Sequence, residues 1–362
     1  MNFEIHNEEI DHKLEAYDYI LDETLIANKP SKVRHESRLM IVKDSSLEED
    51  FSTNKYTKNL LDELREGDLV VVNDTKVMKA RLKVELENGR FVELLVLEKA
   101  DESTWLCLAR PAKKLKINRQ LNLKSSLAKD IKLHISGIDK ETGGRFIKFP
   151  GNINDLISMN KLLDIYGEIP LPPYIKTKLE DRDRYQTVYS EKAKSAAAPT
   201  AGLHMTKELL DRCIEKGAKI EFLELVVGLD TFRPLNSQNI DDHKMHSEFY
   251  NVPENVIEAC AQAERVIAVG TTTVRALETA ALGKLEGRTN IFIKRPFDFK
   301  IVDLLLTNFH LPRSTLLVML DAFLGERWQS LYREALHENY RFLSFGDAML
   351  VQRQFLGNYA GH

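Results

Sequence analysis

The 362-residue chain predicts a layered α/β domain that carries an inserted small antiparallel β-barrel. Three observations support this. Between residues 66 and 150 apolar and polar residues alternate in short runs broken by Gly, Asn and Asp, the pattern of consecutive antiparallel strands. Beyond the proline-stiffened stretch GEIPLPPYI, residues 167–175, helical segments alternate with apolar strands, as they do in stacked α and β layers. The N-terminal residues contribute YDYIL and a helix near TKNLLDELREG, which complete the layered domain. The α/β domain is therefore expected over residues 1–65 and 160–362, with the barrel inserted over 66–159.

In chain order the barrel runs are DLVVVND, ARLKVELENG, RFVELLVLEKA, TWLCLARPA, INRQLNLKS, IKLHISGID and GRFIKFPG. Closure is preferred over a flat sheet because a closed barrel leaves no strand edge exposed. In the second half TKELLDRCIEKG, ENVIEACAQAE, VRALETAAL and LLVMLDAFLGERWQSLYREALHENY read as helices, and KIEFLELVVG, RVIAVG and FKIVDLLLTN as strands.

Composition narrows the function classes. An apolar fraction of 43% is ordinary for a folded globular chain and excludes disorder as the expected class. No stretch approaches the roughly 20 uncharged apolar residues of a membrane helix, and the acidic start MNFEIHNEEIDHKLE is unlike a signal peptide. A cytoplasmic protein with no membrane partner is expected. Cys107, Cys213 and Cys260 are far apart and lack CxxC pairing, so free thiols are expected. The net charge of −4 conceals a balance of −7 over residues 1–24 and +7 over residues 110–132. The basic block, which includes Arg110, Lys113, Lys114 and Lys116, reads either as a polyanion footprint or as a solvated strand face.

Three stretches could carry chemistry. In SAAAPTAGLHMT, residues 195–206, small residues around Thr200 and Gly202 permit close backbone approach to a ligand, and His204 is an acid/base candidate. A structural histidine fits the same pattern. In VGTTTVRALE the hydroxyls of Thr271, Thr272 and Thr273 gather at a helix start, with Arg275 one turn in. That suits an anionic or polyhydroxyl ligand, although helix capping explains the threonines equally. In LLLTNFHLPRSTLL a strand delivers Asn308 and His310 at its end, followed by Arg313, the usual ligand position of an open α/β sheet. The DDHKMHSEF segment matches no standard zinc spacing, so no metal site is expected.

Together these stretches resemble the S-adenosylmethionine:tRNA ribosyltransferase-isomerase family of queuosine biosynthesis. The resemblance runs through YDYILDETLIA, RHESRLMIV, GDLVVVNDTKVMKARL, ARPAKKLK, YGEIPLPPYI, SAAAPTAGLHMT, VGTTTVRALE, LLTNFHLPRSTLL and YRFLSFGDAML, in the family's order and over nearly the whole chain. Three places depart from the family pattern: Lys194 stands for a glycine, Val226 and Asp230 stand for a histidine and a glycine, and FIKRPFDFK at 292–300 replaces a Pro-Gly segment.

The resemblance implies an α/β fold with an inserted barrel and transfer of the ribosyl part of S-adenosylmethionine to 7-aminomethyl-7-deazaguanine at the tRNA wobble position. Epoxyqueuosine in tRNA, adenine and methionine are the implied products. S-adenosylmethionine enters as co-substrate, with no tightly bound cofactor, and a monomer is expected. The chemistry needs a base for the carbon beside the sulfonium and an acid to help adenine leave. His204, His310 and Asp347 of SFGDAM are the candidates for these roles. Thr200, Gly202, Thr271, Thr272, Thr273, Arg275, Asn308 and Arg313 are candidates to hold the cofactor, and Arg110, Lys113, Lys114 and Lys116 to touch tRNA phosphates. A tRNA-binding paralogue without the activity, and a small-molecule transferase using the same cofactor, are the alternative readings.

Overall fold

A computed structural model describes residues 12–42, 52–126, 128–140, 142–177, 179–228, 235 and 237–353. Their contacts define two compact units. One is drawn from residues up to Asp74, Pro173–Ser190 and Pro199 onward, the other from Thr75–Pro172 and Glu191–Ala198.

The first unit is built on a nine-stranded sheet in the spatial order Glu286–Thr289, Glu248–Asn251, Lys219–Leu225, Asp68–Asn73, Arg265–Val269, Leu304–Asn308, Ala348–Gln352, Arg38–Val42, Ser52–Tyr56. The four strands from Lys219–Leu225 to Leu304–Asn308 are mutually parallel. Asp68–Asn73 is buried at every position, which the alternation reading did not allow for, since it grouped DLVVVND with the barrel. Consecutive valines with no polar alternation are what a parallel strand covered on both faces requires. Buried Asp68 anchors its start by accepting from Arg265 Nε at 2.8 Å and Nη2 at 2.6 Å.

The direction of the neighbouring strands explains how the site is assembled. Ala348–Gln352 runs antiparallel to Leu304–Asn308, and Arg38–Val42 runs parallel to Ala348–Gln352. The starts of those two strands therefore lie at the edge where Leu304–Asn308 ends, with Ala348 opposite both Asn308 and Leu39. Helices pack on the sheet with their apolar faces inward: Leu209, Leu210 and Cys213 of helix Lys207–Glu215 join a core with Val70, Val72, Ile267 and Leu306. The long helical stretch read near the C-terminus is broken at Gly325, whose φ of 63° separates Thr315–Leu324 from Arg327–His337. Tyr17 of YDYIL is tied down by donating to buried Asp321, which also accepts from Trp328 and Arg295.

The second unit contains a closed six-stranded antiparallel barrel in the order Arg81–Leu86, Phe91–Asp101, Thr104–Arg110, Arg145–Lys148, Ile131–Ile138, Gln120–Leu123, with the last strand pairing back onto the first. Burial alternates along Gln120–Leu123 and Ile131–Ile138, because one face fills the barrel and the other meets water. Helix Leu156–Tyr166 of the same unit was not read from the sequence. Its signal is a capping box in which Asp155 accepts from the Ser158 N–H and Ser158 caps the backbone in return. Among the described residues no helix is long and apolar enough to cross a membrane.

Candidate active site

The residues of PTAGLH form a tight turn, Thr200–His204, ahead of helix Lys207–Glu215, whose N-cap is Thr206. Gly202 is needed here for an internal reason. A Cβ at this position would lie 2.1 Å from Tyr189 Oη and 2.8 Å from Thr187 Cγ2, so the close approach is to the protein's own tyrosine and not to a ligand.

The turn places His204 against Asn308, the last residue of its strand. Asn308 Nδ2 lies 2.9 Å from His204 Nε2 and donates to Leu343 O at 3.1 Å, while its Oδ1 accepts from Thr200 Oγ1 at 3.1 Å. A carbonyl acceptor on one side and a hydroxyl donor on the other fix the amide orientation. His204 Nε2 is then the acceptor, and Nδ1 carries the proton, donated to Ser37 Oγ at 2.6 Å. Ser37 in turn donates to Arg34 O at 3.1 Å. Burial pushes the His204 pKa down to about 4, Asp347 opposing the shift and Arg341 and Arg34 reinforcing it. The imidazole is therefore neutral at pH 7.

Asp347 is held rather than free. Its carboxylate accepts the Arg38 N–H at 2.9 Å, the Arg341 N–H at 2.8 Å and Arg341 Nη2 at 3.2 Å. It locks the start of two strands and acts on His204 through its charge. Gly346 before it sits where a Cβ would meet Arg341 O at 2.4 Å.

A cleft opens beside this network, lined by His204, Ser37, Arg34, Arg184, Ser344 and Phe345 among others. His310 is not on its wall. The His310 ring is buried with Nε2 3.1 Å from Thr307 Oγ1, the backbone N–H of His310 donates to Tyr332 Oη, and its backbone carbonyl accepts from Tyr19. Burial alone pushes its pKa down to about 3. Two positions past Asn308, the chain has turned into the aromatic cluster of Phe309, Tyr332 and Phe342.

The threonine-rich helix Thr271–Ala280 starts at the same edge of the sheet, where Asn73 Nδ2 reaches Thr272 Oγ1 at 3.4 Å. Thr271, Thr272 and Thr273 are all buried, and Thr273 donates back to Val269 O. Arg275 forms a buried ion pair with Glu248, and its Nε and Nη2 have no partner among the described residues. Arg313, expected to orient the substrate, is instead gripped by Asp18 at 2.6 and 2.8 Å on the surface, where it fastens the YDYIL stretch. Asp241 of DDHKMHSEF pairs with His12 and Lys294.

In the barrel unit Arg110, Lys113 and Lys116 are exposed and form no ion pair among the described residues. The side chain of Lys114 lies outside those residues. Buried Arg145, which carried no signal in the sequence, donates to Ala112 O at 2.7 Å and Leu115 O at 2.8 Å, so it shapes the turn that presents these cations.

Residues 14–351 match the queuosine biosynthesis protein profile. The chain belongs to that family. Relatives in it include proteins named S-adenosylmethionine:tRNA ribosyltransferase-isomerase from Prochlorococcus marinus subsp. pastoris, 66% identical over 97% of this chain and 98% of that protein, and from Prochlorococcus marinus strain MIT 9313, 44% identical over 94% and 95%. A crystal structure titled as the S-adenosylmethionine tRNA ribosyltransferase of Thermotoga maritima superposes with a TM-score of 0.51 at 33% identity, covering 92% of this chain and 99% of that one. Of the departures from the family pattern, Val226 continues the sheet by donating to Phe249 O at 2.9 Å. Lys194 lies in the short strand Lys192–Ser195 of the barrel unit. Arg295 of FIKRPFDFK holds Asp321, and Asp230 lies outside the described residues.

Ser37, Arg34 and Arg184 are site residues that the sequence did not single out. Ser37 lies 167 residues before His204 in the chain, and only the paired reversals of strand direction bring it there. The signal for Arg34 and Ser37 lies in the RHESRLM stretch of the family resemblance.

Proposed function

We propose that this protein transfers and isomerises the ribosyl moiety of S-adenosylmethionine onto 7-aminomethyl-7-deazaguanine at the wobble position of tRNA, forming epoxyqueuosine-tRNA and releasing adenine and methionine. The observation that carries the reading is the neutral His204, oriented by Ser37 and Asn308 on the wall of a cleft, in a chain that matches the family over residues 14–351. S-adenosylmethionine is a co-substrate, and no tightly bound cofactor is invoked. The protein acts as a monomer in the cytoplasm.

His204 is the acid/base group of this reading. A neutral imidazole can accept the proton from the carbon that the sulfonium acidifies, and the imidazolium so formed can return it to the departing adenine. The Ser37 contact keeps Nδ1 protonated and leaves Nε2 as the accepting nitrogen. His310 and Asp347 support this geometry from behind. Thr200, Asn308 and the Thr271 and Thr272 hydroxyls supply ribose contacts at the same sheet edge, Thr273 being committed to Val269 O, and Arg275 offers its unpaired N–H groups to the methionine carboxylate. Arg110, Lys113, Lys114 and Lys116 contact tRNA phosphates, positioning the RNA without reading its sequence.

The deciding experiment is adenine release from S-adenosylmethionine by the purified protein, with and without tRNA carrying the aminomethyl-deazaguanine base. Release that requires this tRNA establishes the reaction. Release without any RNA, or none at all, overturns it.

A further inference from the structure

Two guanidinium groups share the cleft beside His204 with no ion pair among the described residues. Arg34 donates to Leu203 O at 3.1 Å and Asp183 O at 2.9 Å, and Arg184 donates to Lys32 O at 3.1 Å and Ser31 O at 2.6 Å. All four acceptors are backbone carbonyls, and neither arginine has an ion pair among the described residues. Arg184 Nε is shielded from solvent and has no hydrogen-bond partner there. The third arginine nearby, Arg341, is already neutralised by Asp347.

Holding two such charges together is costly. Burial lowers the Arg34 pKa first and the charge of Arg184 second, while Asp181, Tyr189 and Asp183 oppose the shift. Asp181 and Asp183 are exposed, so water weakens their effect. Carbonyl contacts orient both forks without cancelling either charge. The arrangement is poised for an anion, and a planar guanidinium fork is well matched to phosphate oxygens.

On the proposed reading two substrates reach this cleft. S-adenosylmethionine has one anionic group, its carboxylate, which the proposed reading gives to Arg275, and its sulfonium and ammonium are cations. The RNA brings one phosphodiester for every nucleotide, and a base unstacked into the pocket carries its own phosphate to the rim. We propose that Arg34 and Arg184 form a phosphodiester site that grips the phosphate flanking the wobble nucleotide and thereby holds its base against His204. This proposal rests on the tRNA reading given above.

The test compares the wild type with Arg34→Gln, Arg184→Gln and the double variant, glutamine retaining an N–H donor for the carbonyls. tRNA affinity is measured across a salt series. The slope of log affinity against log salt should fall by about 0.7 to 0.9 for each arginine–phosphate pair removed. The KM for tRNA should rise about tenfold per arginine, with the KM for S-adenosylmethionine unchanged. Arg34→Lys should retain the slope.

An unchanged slope and tRNA affinity overturn the proposal. So does a rise confined to the KM for S-adenosylmethionine, which would make this a carboxylate site. Ethylation interference on the wild-type complex gives a readout independent of variant folding: alkylating the phosphates beside the wobble nucleotide should abolish binding, and full binding of those RNAs overturns the proposal. Adenine release by the same wild-type preparation reports separately on the reaction.

Discussion

The side-chain nitrogen of Asn308 sits 2.9 Å from Nε2 of His204 and directs its other hydrogen at Leu343 O. This one amide fixes the tautomer of the histidine and covers its lone pair. Asn308→Asp replaces that donor by a negatively charged acceptor. The His204 pKa should rise from about 4 and the ring should be protonated at Nε2, with kcat falling about 100-fold because the reacting atom is misplaced. Nitrogen chemical shifts of the His204 ring, measured against pH, would detect the change. An unaltered tautomer in this variant would contradict the network.

The two histidines should separate cleanly on substitution. His204→Ala is expected to lower kcat about 10²- to 10⁴-fold, with a modest change in thermal midpoint. His310→Ala leaves the Thr307 hydroxyl without its partner inside the aromatic cluster and should cost about 2 to 4 kcal/mol of stability. Its folded fraction should retain most of the turnover. A stable but inactive His310→Ala protein would reverse the assignment.

Acid sensitivity follows from both buried rings. Each titrates near 6.5 when unfolded but is held to about 4, His204, or about 3, His310, in the folded protein. Below pH 6.5 the unfolded chain therefore binds more protons, and stability falls as pH drops from 6.5 toward 4. Each ring contributes about 1.4 kcal/mol per pH unit to that loss. Urea midpoints at pH 7.5, 6 and 5 should decline accordingly, and His310→Asn should flatten the decline. Stability that holds level from pH 7 to pH 5 would show that the rings are not buried neutral.

Gly202→Ala forces a methyl group to within 2.1 Å of Tyr189 Oη. Overpacking of this kind costs about 1 to 3 kcal/mol, measurable by chemical denaturation. Adding Tyr189→Phe removes the closest atom and should restore part of the loss. Thr187 Cγ2, 2.8 Å from the new carbon, keeps the rescue incomplete.

Arg145→Met should loosen the turn bearing Lys113 and Lys116, because four backbone carbonyls lose their donor. tRNA affinity should fall while the KM for S-adenosylmethionine stays put. Equal tRNA binding by wild type and variant in a salt titration would dissociate Arg145 from RNA recognition.

Local patterns were readable wherever a residue's environment is set by its near neighbours. Alternation in QLNL and IKLHISGI identified barrel strands because one face of each meets water. The same rule misplaced DLVVVN, whose environment is set by strands more than 140 residues further along the chain. His204 and Asn308 were singled out by small-residue and strand-end patterns, and the structure joins them. Arg313 was singled out by the same strand-end pattern and faces Asp18 instead.

By itself the sequence determined the α/β class, the presence of a barrel and the segments that hold the acid/base candidates. These depend on periodicity and on short-range turn chemistry. Tertiary structure alone decided which histidine lines the cleft, which tautomer it adopts and that Arg34 and Arg184 stand beside it with no ion pair among the described residues. Those properties arise where the starts of two strands are carried to the end of a third. Burial, charge and hydrogen-bond direction at that edge are set by residues that are distant in the chain.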